Sequence, residues 1–193
     1  MVGVNDGVLK PNLCSLSKEK QRAFALILSE RLIPFFSWFA SQTSFGTTSI
    51  YRNYLDDAWR SLTEAVPSNW REAAQTCYMA APHTDDFDHP LTSEALRAAI
   101  SVALTMEFLA DWDVAHVLES AQLANDVATF FANRRSARPP LSLTYDQLIK
   151  HPYMQKELER QLDDLAFVES LPADLTQEKV AIIKERVWVG PAR

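Results

Sequence analysis

Glycine is scarce in this sequence, with only 4 glycines among 193 residues. A β-rich fold of this length needs many tight turns with positive φ, and glycine supplies that backbone conformation at the lowest cost. Strand-like alternation of apolar and polar residues is also short wherever it occurs. These two shortages argue against a β-rich fold and favour long helices joined by short loops.

Cysteine is nearly absent too, since the chain contains only Cys14 and Cys77. They are far apart, and neither has a second cysteine at the CxxC spacing that thiolate zinc sites use. We expect two reduced thiols, as in a cytosolic protein, and no disulfide framework.

Positive charge is in deficit, and the formal net charge is −6. An acidic protein repels the phosphate backbone, so nucleic-acid binding would need a local basic patch. The one candidate is Arg134, Arg135 and Arg138, beside Pro139-Pro140. No aromatic residues interleave with these arginines, and cations favour helix C-terminal ends. We therefore interpret them as a helix end and its linker, and predict no nucleic-acid binding.

Uninterrupted hydrophobic runs are missing. The most apolar window, residues 23–40, contains Glu30, Arg31 and Pro34. A membrane-spanning helix needs about 20 consecutive apolar residues. Residues 1–10 also lack the apolar core of a signal peptide. We expect a soluble, cytoplasmic protein with no membrane partner.

Helical periodicity is what the sequence does contain. One stripe with a 3.6-residue period indicates an amphipathic helix, formed by Ile50, Tyr51, Tyr54, Leu55, Ala58, Trp59 and Leu62. Residues 95–109 are apolar nearly all round, which predicts a central helix buried from several sides. Ser17 is a good N-cap, and Pro34 is predicted to begin a second helix. The fold class predicted is all-α: one multi-helical bundle of about seven or eight helices over residues 15–193, preceded by a flexible arm, 1–14.

The densest chemistry lies in residues 83–89, where three carboxylates and two imidazoles occupy seven positions. Asp85, Asp86 and Asp88 are hard oxygen ligands that suit Mg²⁺, Mn²⁺ or Ca²⁺, and adding His83 and His89 would suit Zn²⁺ or Fe²⁺. The spacing does not match an EF-hand. The other interpretation, which we favour, is an acidic structural latch in which one Asp caps a helix, another pairs with an arginine and the intervening phenylalanine enters the core.

Glu30, Arg31 and Arg52 lie in or beside strongly apolar segments. A buried charge must be paired, because an unpaired one costs several kcal/mol. We predict a bridge between helices, either Glu30–Arg52 or Arg52–Asp86. The alternative is that Arg52 presents its guanidinium to an anionic ligand. A third polar group, Asp113, His116 and Glu119, is interpreted as a solvated helix face.

Several elements of the sequence together resemble a known family. They are Glu30-Arg31, Pro34, Gln42-Thr43, Phe45-Gly46, Ile50-Tyr51-Arg52, Leu55-Asp56, Trp59, Asp85-Asp86-Phe87-Asp88, Asp146, Leu148, Pro152 and Glu157. On these elements the chain is similar to the YjaG-like family of small bacterial cytosolic proteins over about residues 18–171. The resemblance includes the acidic loop but not its two flanking histidines, and implies an all-helical fold with no assigned function.

The sequence favours an interaction or regulatory protein over an enzyme. No nucleophile elbow, phosphate-binding loop or dinucleotide fingerprint is present. The aromatic residues of the segment 35–45 are too widely spread for a single core-facing stripe, so some of them face a neighbouring helix, a pocket or another subunit. Core packing and a homodimer interface are the two interpretations, and we predict self-association as a homo-oligomer, with a further protein partner unknown. We expect no cofactor. The alternative is a metal-dependent enzyme, such as a hydrolase, that uses the Asp85–Asp88 loop and a divalent metal.

Overall fold

A computed structural model of the chain describes residues 6–46, 48–135, 143–172 and 174–187. These residues contain nine α-helices, eight of them at least seven residues long, and no strand, which confirms the predicted all-α class. The helices are α1 (Asp6–Ser15), α2 (Lys18–Thr43), α3 (Ser49–Arg60), α4 (Trp70–Met79), α5 (Thr92–Asp111), α6 (Val114–Arg135), α7 (Tyr145–Ile149), α8 (Pro152–Ser170) and α9 (Gln177–Val187).

Helices α2 and α5 form the centre of the bundle and pack along each other. Helix α5 also packs against α4 and α6, and α6 packs against α8, while α9 lies against α2. Most of the α5 side chains are buried, as the sequence predicted for a helix that is apolar nearly all round.

A chain of hydroxyl groups crosses this centre. The Ser29 hydroxyl lies 3.0 Å from that of Ser101 and 2.8 Å from that of Thr105. Ser101 in turn lies 2.7 Å from the Ser120 hydroxyl on α6. All four residues are buried, so their hydroxyl groups satisfy one another's hydrogen-bonding capacity where water is excluded.

Helix α2 runs unbroken through Pro34, so the prediction of a second helix beginning there is wrong. A proline inside a helix removes one backbone hydrogen bond and costs about 3 kcal/mol. Ile33, just before this proline, and Phe36, two residues after it, are buried in the core. Tertiary burial along α2 therefore outweighs the local cost.

The predicted flexible arm over residues 1–14 is also wrong from Asp6 onward, where α1 begins. Leu9 is 1% exposed and Leu13 is fully buried, and both belong to the main core. The sequence signal is weak because only these two side chains face inward. Residues 1–5 lie outside the described part of the chain.

Side chains cap the start of several helices, and Ser17 does so as predicted. Ser17 accepts a hydrogen bond from the Lys20 N–H at the start of α2. Thr144 and Gln147 form a capping box at the start of α7. His151 caps α8, whose first residue is Pro152. These local signals are specific because each satisfies backbone N–H groups that have no partner inside the helix.

By length and composition, α2 could cross a membrane, and it is the one helix of the described ranges that meets both conditions. The bundle buries 61% of its apolar window.

Candidate functional site

The acidic loop connects α4 to α5 and contains one short 3₁₀ turn, Thr84–Asp86. Its apolar and aromatic side chains turn inward. The Phe87 ring centroid lies 4.9 Å from that of Phe45 and 5.3 Å from that of Phe39. The His89 ring contacts Phe39 and Trp38, each at 5.5 Å. The loop is therefore anchored by rings packed against the C-terminal half of α2 and the residues just after it.

Hydrogen bonds from Leu91 and Thr92 hold the loop at the start of α5. The Thr92 hydroxyl donates to the His89 carbonyl at 2.8 Å, with the Phe87 carbonyl 3.3 Å away. His89 Nδ1 accepts the Leu91 N–H at 3.3 Å. These contacts fix the backbone just before the first turn of α5.

The carboxylates of the loop face solvent, whereas its rings face the core. Asp85, Asp86 and Asp88 are exposed, as is His83, whereas His89 is partly covered by its aromatic contacts. Within the described ranges, no group of three or more His, Cys, Asp or Glu side chains is placed to hold a metal ion. The ligand set that the sequence offered as an alternative is thus not brought together.

The charges in the apolar segments are paired across helices. Glu30, which is 9% exposed, forms a two-point ion pair with Arg52: Nη1 donates to Oε2 at 2.8 Å, and Nη2 to Oε1 at 2.6 Å. The buried Trp59 indole N–H also donates to Glu30 Oε1, at 2.7 Å. Of the two bridges considered from the sequence, the Glu30–Arg52 bridge is present.

Arg52 has no free fork for an anionic ligand. Its Nε donates to Asp56 Oδ1 at 3.1 Å, and Glu30 occupies its other two nitrogens. The hydrogen bond to Glu30, opposed by partial burial, raises the pKa of Arg52. Glu30, Arg52, Asp56, Lys184 and Val187 line an open pocket of about 250 Å³. Asp86 is not among the ion-pair partners of Arg52 within 4.0 Å in the described chain.

Arg31, the residue after Glu30 on α2, faces α8 instead of α3. Its Nη2 lies 2.8 Å from Asp164 Oδ2, and its Nη1 lies 3.9 Å from Glu157. The 2.8 Å contact lacks hydrogen-bond geometry, so the pairing is chiefly electrostatic. Burial lowers the pKa of Arg31, and the two carboxylates oppose that effect. Arg186 Nε lies 3.3 Å from Asp164 Oδ1, and this pair joins α9 to α8.

A second cluster of ionisable groups, which was not predicted from the sequence, lies where α5 meets α6. His116 Nδ1 lies 3.4 Å from Glu107 Oε2, and its Nε2 lies 3.2 Å from Asp111 Oδ2. The Tyr78 hydroxyl donates to the same Glu107 oxygen at 2.9 Å. Burial and this carboxylate raise the pKa of Tyr78, so the phenol remains a donor.

The feature that brings this cluster together is the tight turn between α5 and α6. Trp112 ends α5 in the left-handed conformation, with φ of 62°, and Asp113 caps the start of α6 by accepting the Ala115 N–H. That tight turn folds the first turn of α6 back onto α5. His116, interpreted from sequence as part of a solvated face, is consequently only partly exposed. A hydrogen bond from the Asp113 N–H lowers the pKa of Asp111.

One further buried carboxylate was not singled out from the sequence. Glu94, in the first turn of α5, is fully buried, and its Oε1 pairs with Arg97 Nη1 at 2.9 Å. Its Oε2 has no hydrogen-bond partner among the residues that the structure describes. Burial raises the pKa of Glu94, and Arg97 opposes the shift.

Of the three arginines considered for nucleic-acid binding, Arg134 is exposed near the end of α6, with its guanidinium 5.7 Å from the Phe130 ring. Arg135 is the last residue of that helix. Arg138 and Pro139-Pro140 lie outside the described residues.

Two proteins named YjaG are similar to this chain. "Uncharacterized protein YjaG" of Escherichia coli is 25% identical over 167 residues, covering 80% of this chain and 84% of that protein. The protein of the same name from Salmonella typhimurium is 25% identical over 163 residues, covering 83% and 80%. These matches confirm the family that the motifs indicated.

A solved structure shares the fold. A DUF416 family protein from Shewanella baltica superposes with a TM-score of 0.79 at 19% identity, covering 92% of this chain and 91% of that one. Residues 9–188 match the family described as "Protein of unknown function (DUF416)". The match spans nearly the whole chain, so this protein belongs to the DUF416 family.

Proposed function

We propose that this protein is a cytoplasmic interaction or regulatory protein that self-associates through one end of its helical bundle. We name this end the loop-end surface and define it by Trp38, Asp85, Asp86, Asp88 and Arg134. Its occupant is a second copy of the same chain. The observation that carries the proposal is that the loop's rings are anchored inward while its carboxylates and Trp38 are left exposed.

Trp38 is the apolar centre of this surface. It is 47% exposed, and its covered face lies against the His89 ring at 5.5 Å. An exposed tryptophan next to a fixed ring offers a large apolar area at low entropic cost. Tryptophan is enriched among the residues that dominate binding energy at interfaces.

The charges around Trp38 have both signs. Phe35, one turn before Trp38, contacts Phe131 at 5.8 Å, so the C-terminal halves of α2 and α6 lie side by side. Arg134 follows Phe131 by three residues and is exposed. The loop-end surface therefore combines three acidic side chains with a basic one. A two-fold dimer would place the acidic loop of each copy against Arg134 of the other, with the two Trp38 side chains near the axis.

Sedimentation velocity of the full chain over a range of concentrations tests this proposal. We expect a reversible dimer that weakens as salt rises, because exposed charge pairs are screened. Trp38→Ala should shift the equilibrium to monomer. Met79→Ala is the matched control, since Met79 is 80% exposed but lies on α4. A wild-type protein that stays monomeric, or a dimer lost in Met79→Ala and kept in Trp38→Ala, would overturn the proposal.

Charge reversal tests the pairing itself. Arg134→Asp and the double variant Asp85→Arg/Asp86→Arg should each be monomeric because like charges would face each other across the two-fold axis. An equimolar mixture of the two variants should contain heterodimer. In the heterodimer, both contacts between a loop and residue 134 join opposite charges. Failure of the mixture to associate, with both variants folded by circular dichroism, would show that these residues do not meet in the dimer.

A further inference from the structure

The groove between α4 and α5 has a volume of about 330 Å³ and lies apart from the loop-end surface. That volume falls at the lower end of the range for small-molecule sites. It is lined by Arg71, Ala74, Gln75, Tyr78, Glu107, Ala110 and Asp111.

The two helices that line this groove, α4 and α5, run in opposite directions. On α4, Arg71 and Tyr78 are seven residues apart and therefore lie on one face, about 10 Å from each other along the axis. The Tyr78 hydroxyl donates a hydrogen bond to Glu107. The positive charge of Arg71 helps to lower the pKa of Asp111, which follows Glu107 by one turn. The groove thus has Arg71 at one end, with the Asp111 carboxylate near it, and Glu107 at the other. Ala74 and Ala110 line it between these ends, and their small side chains leave the space open.

The hydrogen bonds at the groove show which groups have capacity left. Asp111 is engaged at both oxygens, by the Asp113 N–H and by His116. Glu107 Oε2 receives Tyr78 and faces His116, but its Oε1 has no bond among the described contacts. Arg71 is exposed and has no carboxylate within 4.0 Å in the described ranges. The unused capacity is one guanidinium at one end and one carboxylate oxygen at the other.

We propose that this groove binds a small aliphatic zwitterion, with Arg71 binding its carboxylate and Glu107 binding its ammonium group. A guanidinium matches a carboxylate with two parallel hydrogen bonds, and a carboxylate oxygen accepts from an ammonium. The separation of Arg71 from Glu107 favours a ligand whose charges are spaced by methylene groups. The Tyr78 ring and the two alanines provide an apolar wall for those methylenes. This site is independent of the self-association proposed above.

Titration of the full chain with γ-aminobutyrate, followed by backbone amide NMR, tests the site. Matched probes with one charge are n-butylamine and butyrate. We expect shifts at the amides of Ala74 and Ala110, and binding of γ-aminobutyrate at least about 10-fold tighter than of either probe, since each probe lacks one of the two charged hydrogen bonds. Equal binding of the three probes, or shifts confined to other regions, would overturn the proposal.

Two substitutions separate the ends of the groove. Arg71→Gln should remove the preference for γ-aminobutyrate over n-butylamine, because the carboxylate loses its partner. Glu107→Gln should remove the preference over butyrate, while its amide oxygen can still accept the Tyr78 hydroxyl. Glu64→Gln is the control, since Glu64 is exposed after α3 and outside the groove. Preferences that persist in both groove variants would rule out the proposed binding mode.

Discussion

Glu30 and Arg52 form a two-point ion pair between α2 and α3, with nitrogen–oxygen distances of 2.8 and 2.6 Å. Trp59 adds a third hydrogen bond to the same carboxylate. The pair satisfies a charge that would otherwise be unpaired in the apolar interior.

Removing Arg52 should therefore destabilise the fold. Arg52→Gln is expected to lower the free energy of unfolding by about 2 kcal/mol, less than for a fully buried pair because Arg52 is partly exposed. Urea denaturation measures the loss. Glu30→Gln/Arg52→Gln should recover part of it, since no buried charge is then unpaired. Arg60→Gln, in an exposed pair with Asp57, is the control and should leave the free energy of unfolding nearly unchanged.

The hydroxyl chain at the centre gives a second stability prediction. Ser29→Ala should cost about 1–2 kcal/mol, because the Ser101 and Thr105 hydroxyls lose a partner where water cannot replace it. The control is Ser41→Ala, whose exposed hydroxyl donates to the Trp38 carbonyl. A loss of equal size in both variants, measured by urea denaturation, would contradict a special role for the buried chain.

The acidic loop should respond differently to changes in its two kinds of side chain. Phe87→Ala is expected to cost about 2 kcal/mol, below the range for a fully buried phenylalanine because Phe87 is partly exposed. In contrast, Asp85→Asn, Asp86→Asn and Asp88→Asn should each change the free energy of unfolding by less than about 0.5 kcal/mol, as for other exposed positions. Thermal unfolding of the four single variants compares them. Larger losses in the Asn variants would show that the carboxylates hold the latch.

Glu94 should make stability depend on pH in a defined direction. Its ordinary pKa is 4.5, and burial raises it in the folded protein. Its contribution is therefore fully present below pH 4.5 and is lost as the pH rises through the folded pKa. The stability of the wild type relative to Glu94→Gln should fall as the pH rises from about 4 to about 7. A relative stability that rises over that range would reverse the assigned shift.

Divalent metals should not stabilise the protein through the loop. A site saturated at 100 times its dissociation constant would add about 2.7 kcal/mol. We expect no change in thermal unfolding with Mn²⁺, Zn²⁺ or Mg²⁺, because the loop carboxylates do not converge. Stabilisation by one of these ions that disappears in Asp86→Asn would instead establish a metal site.

Much of the architecture was predictable because it depends on local chemistry. Capping at Ser17 and Thr144 depends on side chains that reach backbone groups only a few residues away. The apolar character of α5 indicated a central helix, since so wide an apolar surface must be covered on several sides. The need for a partner at Glu30 followed from the cost of burying a charge.

The remainder depended on contacts between distant residues. The local rule for Pro34 predicted a helix start, but burial of α2 along its length outweighed it. His116 was placed between Glu107 and Asp111 by a turn whose geometry the sequence did not specify. The direction of the loop carboxylates was likewise set by packing of Phe87 against α2 and nearby rings.

The sequence by itself determined an all-α chain with paired internal charges and an acidic loop before its central helix. Helix propensity, capping and the cost of desolvating a charge act within a few residues and can be read directly. Only the tertiary structure decided that Arg52 meets Glu30, that α1 joins the core and that the carboxylates of the loop face solvent. Those outcomes depend on which helix faces pack together. That choice depends on the total burial of residues from the whole chain and not on any local segment.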